Sequence, residues 1–159
     1  MKKYIVITVL FAILAIATVG FSKSSIGAFG AMEMPNSSPI WVGATLRSIG
    51  ESVIGFEVAA MIEKNALFAS NFTSFQIMPS LYICVPVGSS LTLYAGAAPV
   101  IYVLGTSINV KKDAFYARGG IQLSTGALEI FAGASELIFI RGFTPSKKFG
   151  IEGGVALAF

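Results

Sequence analysis

Apolar residues alternate with small or polar residues along most of this chain. The alternation is strictest at residues 149–159, where large apolar side chains hold the odd positions except Gly153, while glycine, alanine and Glu152 hold the even ones. A period of two predicts a β-strand with one apolar face and one small or polar face. The same pattern recurs seven more times upstream, so the sequence predicts eight strands between residues 23 and 159.

The predicted strands are separated by residues typical of turns. The strands cover approximately residues 25–34, 40–47, 54–62, 75–85, 91–98, 115–124, 128–135 and 149–159. The connections after even-numbered strands are short and polar, whereas those after odd-numbered strands are mostly longer, such as 63–71, 105–113 and 136–148. An even number of antiparallel strands can close into a barrel that has no free edges.

Composition indicates that this barrel lies in a membrane. The chain is 55% hydrophobic and 12% charged, whereas an ordinary soluble domain is about 25% charged. Beyond residue 22, no apolar run approaches the roughly 18 residues that a membrane-spanning helix needs. Lipid offers no partner for unpaired backbone groups, so a membrane chain without such helices must form a closed barrel. The sequence therefore predicts an all-β, eight-stranded antiparallel up-and-down transmembrane β-barrel.

Residues 1–22 are predicted to be a cleavable signal peptide. Two lysines precede an apolar segment, and small residues follow it. Cleavage could follow Ala17 or Ser22, and we favour Ser22 because it leaves a short polar lead into the first strand. Residues 23–159 then form the barrel, secreted across the inner membrane to the bacterial outer membrane. An uncleaved helical anchor in the inner membrane is the alternative.

Five charged residues fall on the faces predicted to line the barrel interior. Glu57, Arg118 and Glu152 lie at similar heights, about seven residues from the periplasmic rim, while Arg47 and Glu129 lie lower. An isolated charge there would be costly, so we expect ion pairs, including one between Arg118 and Glu152. The network would plug the lumen, since eight strands leave room for little beyond side chains. The alternative is a small-conductance channel or transporter for ions or small solutes.

Basic and aromatic residues mark the end of the barrel that is predicted to face outside. The connections after odd-numbered strands contain five lysines: Lys64, Lys111, Lys112, Lys147 and Lys148. They are either ordinary solvated loop residues or contacts for lipopolysaccharide phosphates, and the second reading would make the protein an outer-surface binding module. Four aromatic residues near the outer strand ends are predicted to form an interfacial girdle: Trp41, Tyr102, Phe139 and Phe143.

The side chains required for familiar catalysis are scarce. The chain has no histidine, which excludes a Ser-His-Asp arrangement and removes the side chain best suited to proton transfer near neutral pH. Its carboxylates show no metal-ligand spacing, and its one cysteine, Cys84, cannot form an internal disulfide. A net charge of +3 gives no basis for nucleic-acid binding. We expect no enzymatic activity, cofactor or metal, and favour a structural or membrane-organising role.

The mature chain resembles the small eight-stranded outer-membrane barrels of the OmpA/OmpX type. The most specific element of the resemblance is the terminal G-V-A-L-A-F at residues 154–159. In that family, alternating apolar residues that end in phenylalanine resemble the signal read by the barrel-assembly machinery, which implies that role for Val155, Leu157 and Phe159. This chain departs from OmpA in having no periplasmic domain after the barrel, and it lacks long outer loops. We expect a monomer in contact with outer-membrane lipids.

Overall fold

Eight antiparallel strands close into a barrel in the part of the chain that the computed structural model describes. The model describes residues 23–36, 39–50, 52–67, 74–104 and 107–159. The strands are β1 (Ser25–Met34), β2 (Ile40–Ser48), β3 (Ile54–Glu63), β4 (Ser74–Val87), β5 (Leu91–Leu104), β6 (Ser107–Thr125), β7 (Leu128–Phe139) and β8 (Thr144–Ala158). Each strand pairs with the next, and β8 pairs with β1 to close the sheet. The predicted signal peptide, residues 1–22, lies outside the described residues.

The all-β, eight-stranded up-and-down architecture predicted from the alternation is confirmed. Helical structure in the described ranges is limited to one turn of α-helix, α1 (Lys64–Leu67), and a 3-10 turn at Arg141–Phe143. No helix among these residues is long and apolar enough to cross a membrane. The longer connection predicted over 63–71 contains α1 in its described part.

Two predicted connections are wrong, because much of each is strand. β6 begins at Ser107, so most of the 105–113 segment pairs with the end of β5. The register shifts between Pro99 and Val100, and pairing then continues through Leu104. Backbone ladder bonds form whatever the side chains are, so β6 pairs with β5 up to Lys111, although the charged residues at 111–113 interrupt the apolar alternation.

The 136–148 segment is likewise mostly strand. β7 continues to Phe139, and β8 begins at Thr144 instead of near residue 149. The register between the two strands shifts between Glu136 and Ile138, after which the ladder resumes. Four of the five lysines assigned to outer connections therefore lie on strands: Lys111 and Lys112 on β6, and Lys147 and Lys148 on β8.

The strands place large apolar side chains on the outside of the barrel. On β4, Leu81, Ile83 and Val85 are exposed, while Tyr82 and Cys84 between them are buried in the interior. The same outward exposure occurs around the barrel at Ile26, Ile54, Leu93, Ile121, Ile130 and Val155. The exterior is thus an apolar surface of the kind that faces lipid, and the interior holds the polar residues.

Glycine on an inward position makes room for an aromatic side chain that reaches into the lumen. A β-carbon on Gly120 of β6 would lie 2.7 Å from the hydroxyl oxygen of Tyr94 and closer still to the carbonyl oxygen of Ala132. A β-carbon on Gly133 would lie 3.1 Å from the same hydroxyl. Tyr94, which is 4% exposed, therefore fits only because its neighbours lack side chains.

We expect Gly120→Ala to lower the free energy of unfolding by about 1–3 kcal/mol, because the added methyl group overpacks the lumen. Gly30→Ala is the matched control. A β-carbon at Gly30 would meet only the Trp41 carbonyl oxygen at 3.6 Å, so its effect should stay within about 0.5 kcal/mol. Urea unfolding in lipid vesicles, followed by the emission of the single tryptophan, measures both. Equal midpoints for the two variants would contradict the packing argument.

Candidate functional site

A buried ion-pair network crosses the middle of the lumen. Arg118 reaches inward from β6, and its Nη1 lies 3.1 Å from Oε2 of Glu57 on β3. Its Nη2 donates a hydrogen bond of 2.9 Å to Oε1 of Glu152 on β8. The three side chains are only 1–2% exposed. One guanidinium group therefore ties together three strands that are not neighbours in the sheet.

Hydroxyl groups add hydrogen bonds to these charges, although Nε of Arg118 has no hydrogen-bond partner among the described residues. Thr45 and Tyr82 each donate a hydrogen bond of 2.7 Å to the carboxylate of Glu57. Arg118 also donates from Nη1 to the hydroxyl oxygen of Ser80. Glu57 thus has partners on β2, β4 and β6, which offset the cost of burying its charge. The central network is defined here as Thr45, Glu57, Ser80, Tyr82, Arg118 and Glu152.

Arg47 crosses the lumen by a different interaction. It projects from β2, is 1% exposed, and its Cζ lies 3.7 Å from the ring centroid of Phe131 on β7. The ring of Tyr94 on β5 lies 5.4 Å from the same atom. None of the three guanidinium nitrogens has a hydrogen-bond partner among the described residues. Arg47 is therefore held by cation–π contacts with aromatic rings.

Glu129 is buried but stands apart from the arginines. It is 2% exposed, and its Oε2 accepts a hydrogen bond of 2.6 Å from the hydroxyl of Ser25. Within the described part of the chain, neither Glu129 nor Arg47 makes an ion pair within 4.0 Å. The expectation that every lumen charge is paired is wrong for these two residues. Arg47 makes cation–π contacts in place of an ion pair. Glu129 accepts a hydrogen bond from the hydroxyl of Ser25 in place of one.

An apolar cluster, which the alternation alone did not reveal, shares the lumen with these charges. Its buried members are Phe29, Ala59, Met61, Met78, Ala98, Phe131 and Ala156. Periodicity places them on the inward faces, but it does not show that large apolar side chains can fill an interior expected to be small or polar. The signal that could have found them is the presence of Met61, Met78 and Phe131 in phase with the inward charged or polar residues of their strands.

The predicted aromatic girdle is wrong at Trp41. This side chain is partly buried and packs against the apolar cluster inside the barrel. It shares the inward face of β2 with Thr45 and Arg47, so its position follows from the alternation. Phe143 is 75% exposed in the 3-10 turn, beyond the end of β7.

The five lysines predicted to lie in the connections after odd-numbered strands have different environments. Lys111 on β6 places its Nζ 4.8 Å from the ring centroid of Phe139. Lys148 forms an exposed ion pair of 3.3 Å with Glu33. Lys64 on α1 and Lys112 on β6 are exposed, and the side chain of Lys147 lies outside the described residues. Two of these cations thus have partners within the protein.

The residues assigned to the assembly signal lie on or directly after the closing strand. Val155 and Leu157 point outward from β8 and are exposed, as is Phe159. The backbone N–H of Phe159 donates to the carbonyl oxygen of Ser24 at 2.8 Å. The described residues contain no group of three or more side chains positioned to hold a metal ion.

Comparisons with solved structures agree with this architecture. The chain is similar to the N-terminal β-barrel domain of Pseudomonas aeruginosa OprF, with a TM-score of 0.59 and 11% identity over 87% of this chain and 98% of that chain. It is similar to Neisserial surface protein A, with a TM-score of 0.54 and 16% identity over 86% and 96%. A de novo designed transmembrane β-barrel gives a TM-score of 0.61 and 9% identity over 87% and 97%. No protein-family model and no curated protein matches the chain. The protein thus has the fold of the small eight-stranded transmembrane barrels.

Proposed function

We propose that this protein is a bacterial outer-membrane β-barrel with a closed polar lumen and a structural or membrane-organising role, not a catalytic one. The observation that carries the proposal is the central network, in which Arg118 bridges Glu57 and Glu152 across the lumen. Such a network fixes the positions of distant strands and leaves little space for solutes.

The contact of Arg47 with Phe131 supports the same conclusion. It forms a second crossing of the lumen, between β2 and β7. Tyr94 reaches towards this group from β5, and its ring centroid lies 5.0 Å from that of Tyr82. Two arginines and two tyrosines therefore occupy the interior that a conducting path would need.

The partners that we propose follow from the surface of the barrel. The apolar exterior suits outer-membrane lipids. Exposed Lys64 and Lys112 suit phosphates of lipopolysaccharide at the outer rim. Val155, Leu157 and Phe159 are available on the outside of the closing strand for the barrel-assembly machinery. We propose that the mature protein is a monomer, because β8 pairs with β1 and leaves no sheet edge open.

One observation favours the alternative of a small-conductance channel. The guanidinium nitrogens of Arg47 have no hydrogen-bond partner among the described residues. A guanidinium group without a direct ion pair could exchange its aromatic contacts for a carboxylate and so open a narrow path. A conductance measurement separates this alternative from the closed barrel.

We predict that the protein is recovered in the outer-membrane fraction with a mature amino terminus at Lys23. The apolar exterior requires a lipid bilayer, and cleavage after Ser22 removes the signal segment. Membrane fractionation with mass spectrometry of the purified protein measures both properties. A chain that retains Met1 and sediments with the inner membrane would contradict the secreted-barrel topology.

Arg118→Met should lower the free energy of unfolding by about 3–5 kcal/mol, because it leaves two buried carboxylates without their shared cation. Lys148→Met is the control, since it removes an ion pair whose lysine is 56% exposed and should cost about 0–1 kcal/mol. Urea unfolding in vesicles measures both changes. A loss at Arg118 no larger than that at Lys148 would show that the network does not stabilise the barrel.

Wild-type protein should show only background conductance in planar bilayers, because side chains fill the middle of the lumen. Arg118→Ala should also remain at background, since Arg47, Tyr82 and Tyr94 still occupy the interior. Insertion of both proteins is verified by their heat-dependent mobility on gels. Discrete openings in the wild type that change in Arg118→Ala would favour the channel and contradict the closed lumen.

A further inference from the structure

A cavity of about 270 Å³ lies inside the outer half of the barrel. Its rim includes the ion pair between Glu33 and Lys148, and its lining reaches inward to Glu152 of the central network. We call it the outer cavity and define it by Trp41, Met61, Gln76, Met78, Tyr116 and Glu152. For scale, an apolar cavity of about 150 Å³ is large enough to bind benzene.

Gln76 brings a buried amide without a hydrogen-bond partner on Nε2 to the wall of this cavity. The side chain projects from β4, is 1% exposed, and lines the cavity. Its Nε2 has no hydrogen-bond partner among the described residues. A buried amide without a partner costs free energy that a ligand with an acceptor atom would recover.

The charges around the outer cavity are already neutralised. Its described lining contains three charged side chains, Glu33, Lys148 and Glu152. Glu33 pairs with Lys148 at 3.3 Å, and Glu152 pairs with Arg118 at 2.9 Å. Each charge therefore has a counter-charge, so the cavity favours an uncharged occupant over an ion.

The walls between these polar groups are apolar and aromatic. Trp41 and Tyr116 pack against the same apolar cluster that contains Met61 and Met78. Indole and phenol rings favour a flat apolar body, and methionine side chains adapt their shape to one. The cavity thus combines an apolar wall, a buried amide whose Nε2 has no hydrogen-bond partner, and no uncompensated charge in its described lining.

We propose that the outer cavity binds a small uncharged aromatic molecule whose carbonyl or hydroxyl oxygen accepts a hydrogen bond from Nε2 of Gln76. The central network lies beyond the cavity floor, so the ligand enters and leaves by the same rim. The barrel then binds a small molecule, which is a function beyond the proposed structural role. Ligand titration tests the binding proposal, whereas unfolding and conductance measurements test the structural role, so the failure of either hypothesis can be distinguished from the failure of the other.

The probe is 4-fluorobenzamide, titrated into the full-length mature barrel in detergent micelles. Trp41 is the single tryptophan of the chain and lines the cavity, so its emission reports occupancy directly. The fluorine resonance of the probe gives a second reading through its line width. We expect saturable changes in both signals for the wild type.

Gln76→Leu should weaken the affinity for the probe by about tenfold, because it replaces the amide donor with an apolar side chain of similar size. Ala31→Leu should abolish saturable binding by filling the cavity, which Ala31 lines. Gln122→Leu is the matched control. Gln122 is fully buried and bonds to the Ile49 carbonyl oxygen away from the cavity, so the affinity should stay within about twofold of wild type.

Heat-dependent gel mobility verifies that each variant is folded, and the Gln76 and Gln122 pair decides the outcome if Ala31→Leu does not fold. Equal affinity in the wild type and Gln76→Leu would overturn the proposal. A signal that rises linearly with probe concentration in every variant would also overturn it, since this is partition into the micelle and not binding.

Discussion

The limited volume inside eight strands is the constraint on which the rest of this structure depends. Every side chain that points inward must fit against others and must find partners for its polar atoms there. Arg118 meets this constraint with two carboxylates and a hydroxyl. Arg47 meets it with the faces of aromatic rings. Arg118 therefore requires carboxylates on strands across the lumen, whereas Arg47 requires aromatic side chains there.

Small residues make both solutions possible. The ring of Phe131 approaches Gly154 of the neighbouring strand so closely that a β-carbon there would lie 2.7 Å from its Cζ. Tyr94 occupies the space left at Gly120 and Gly133. Gly120, Gly133 and Gly154 thus leave the space that the side chains of Tyr94 and Phe131 fill. These small positions help a polar network and an apolar cluster to share one interior.

Alternation predicted the number of strands, their pairing order and the residues of each face, because inward and outward environments differ at every position. It failed in the first parts of β6 and β8, where the consecutive lysines at 111–112 and 147–148 place charge on both faces of the strand and interrupt the alternation. It also placed Arg47, Glu57, Arg118, Glu129 and Glu152 inside without specifying their partners. Which side chains meet across the lumen depends on strand tilt and stagger, and one sequence does not contain these quantities. The girdle prediction for Trp41 uses only its position along the strand, although the alternation places this residue on the inward face.

The closing strand has a consequence for the order of assembly. Glu152 lies on β8, while Arg118 and Glu57 belong to strands in the middle of the chain. The ladder between β1 and β8 joins segments that are distant in sequence, from Ser25 with Ala158 to Met34 with Phe149. Such contacts form late, because the chain between them must first be ordered. Arg118 lacks its second carboxylate until β8 is in place, so the charges of the lumen are balanced only when the last strand of the chain has joined the sheet.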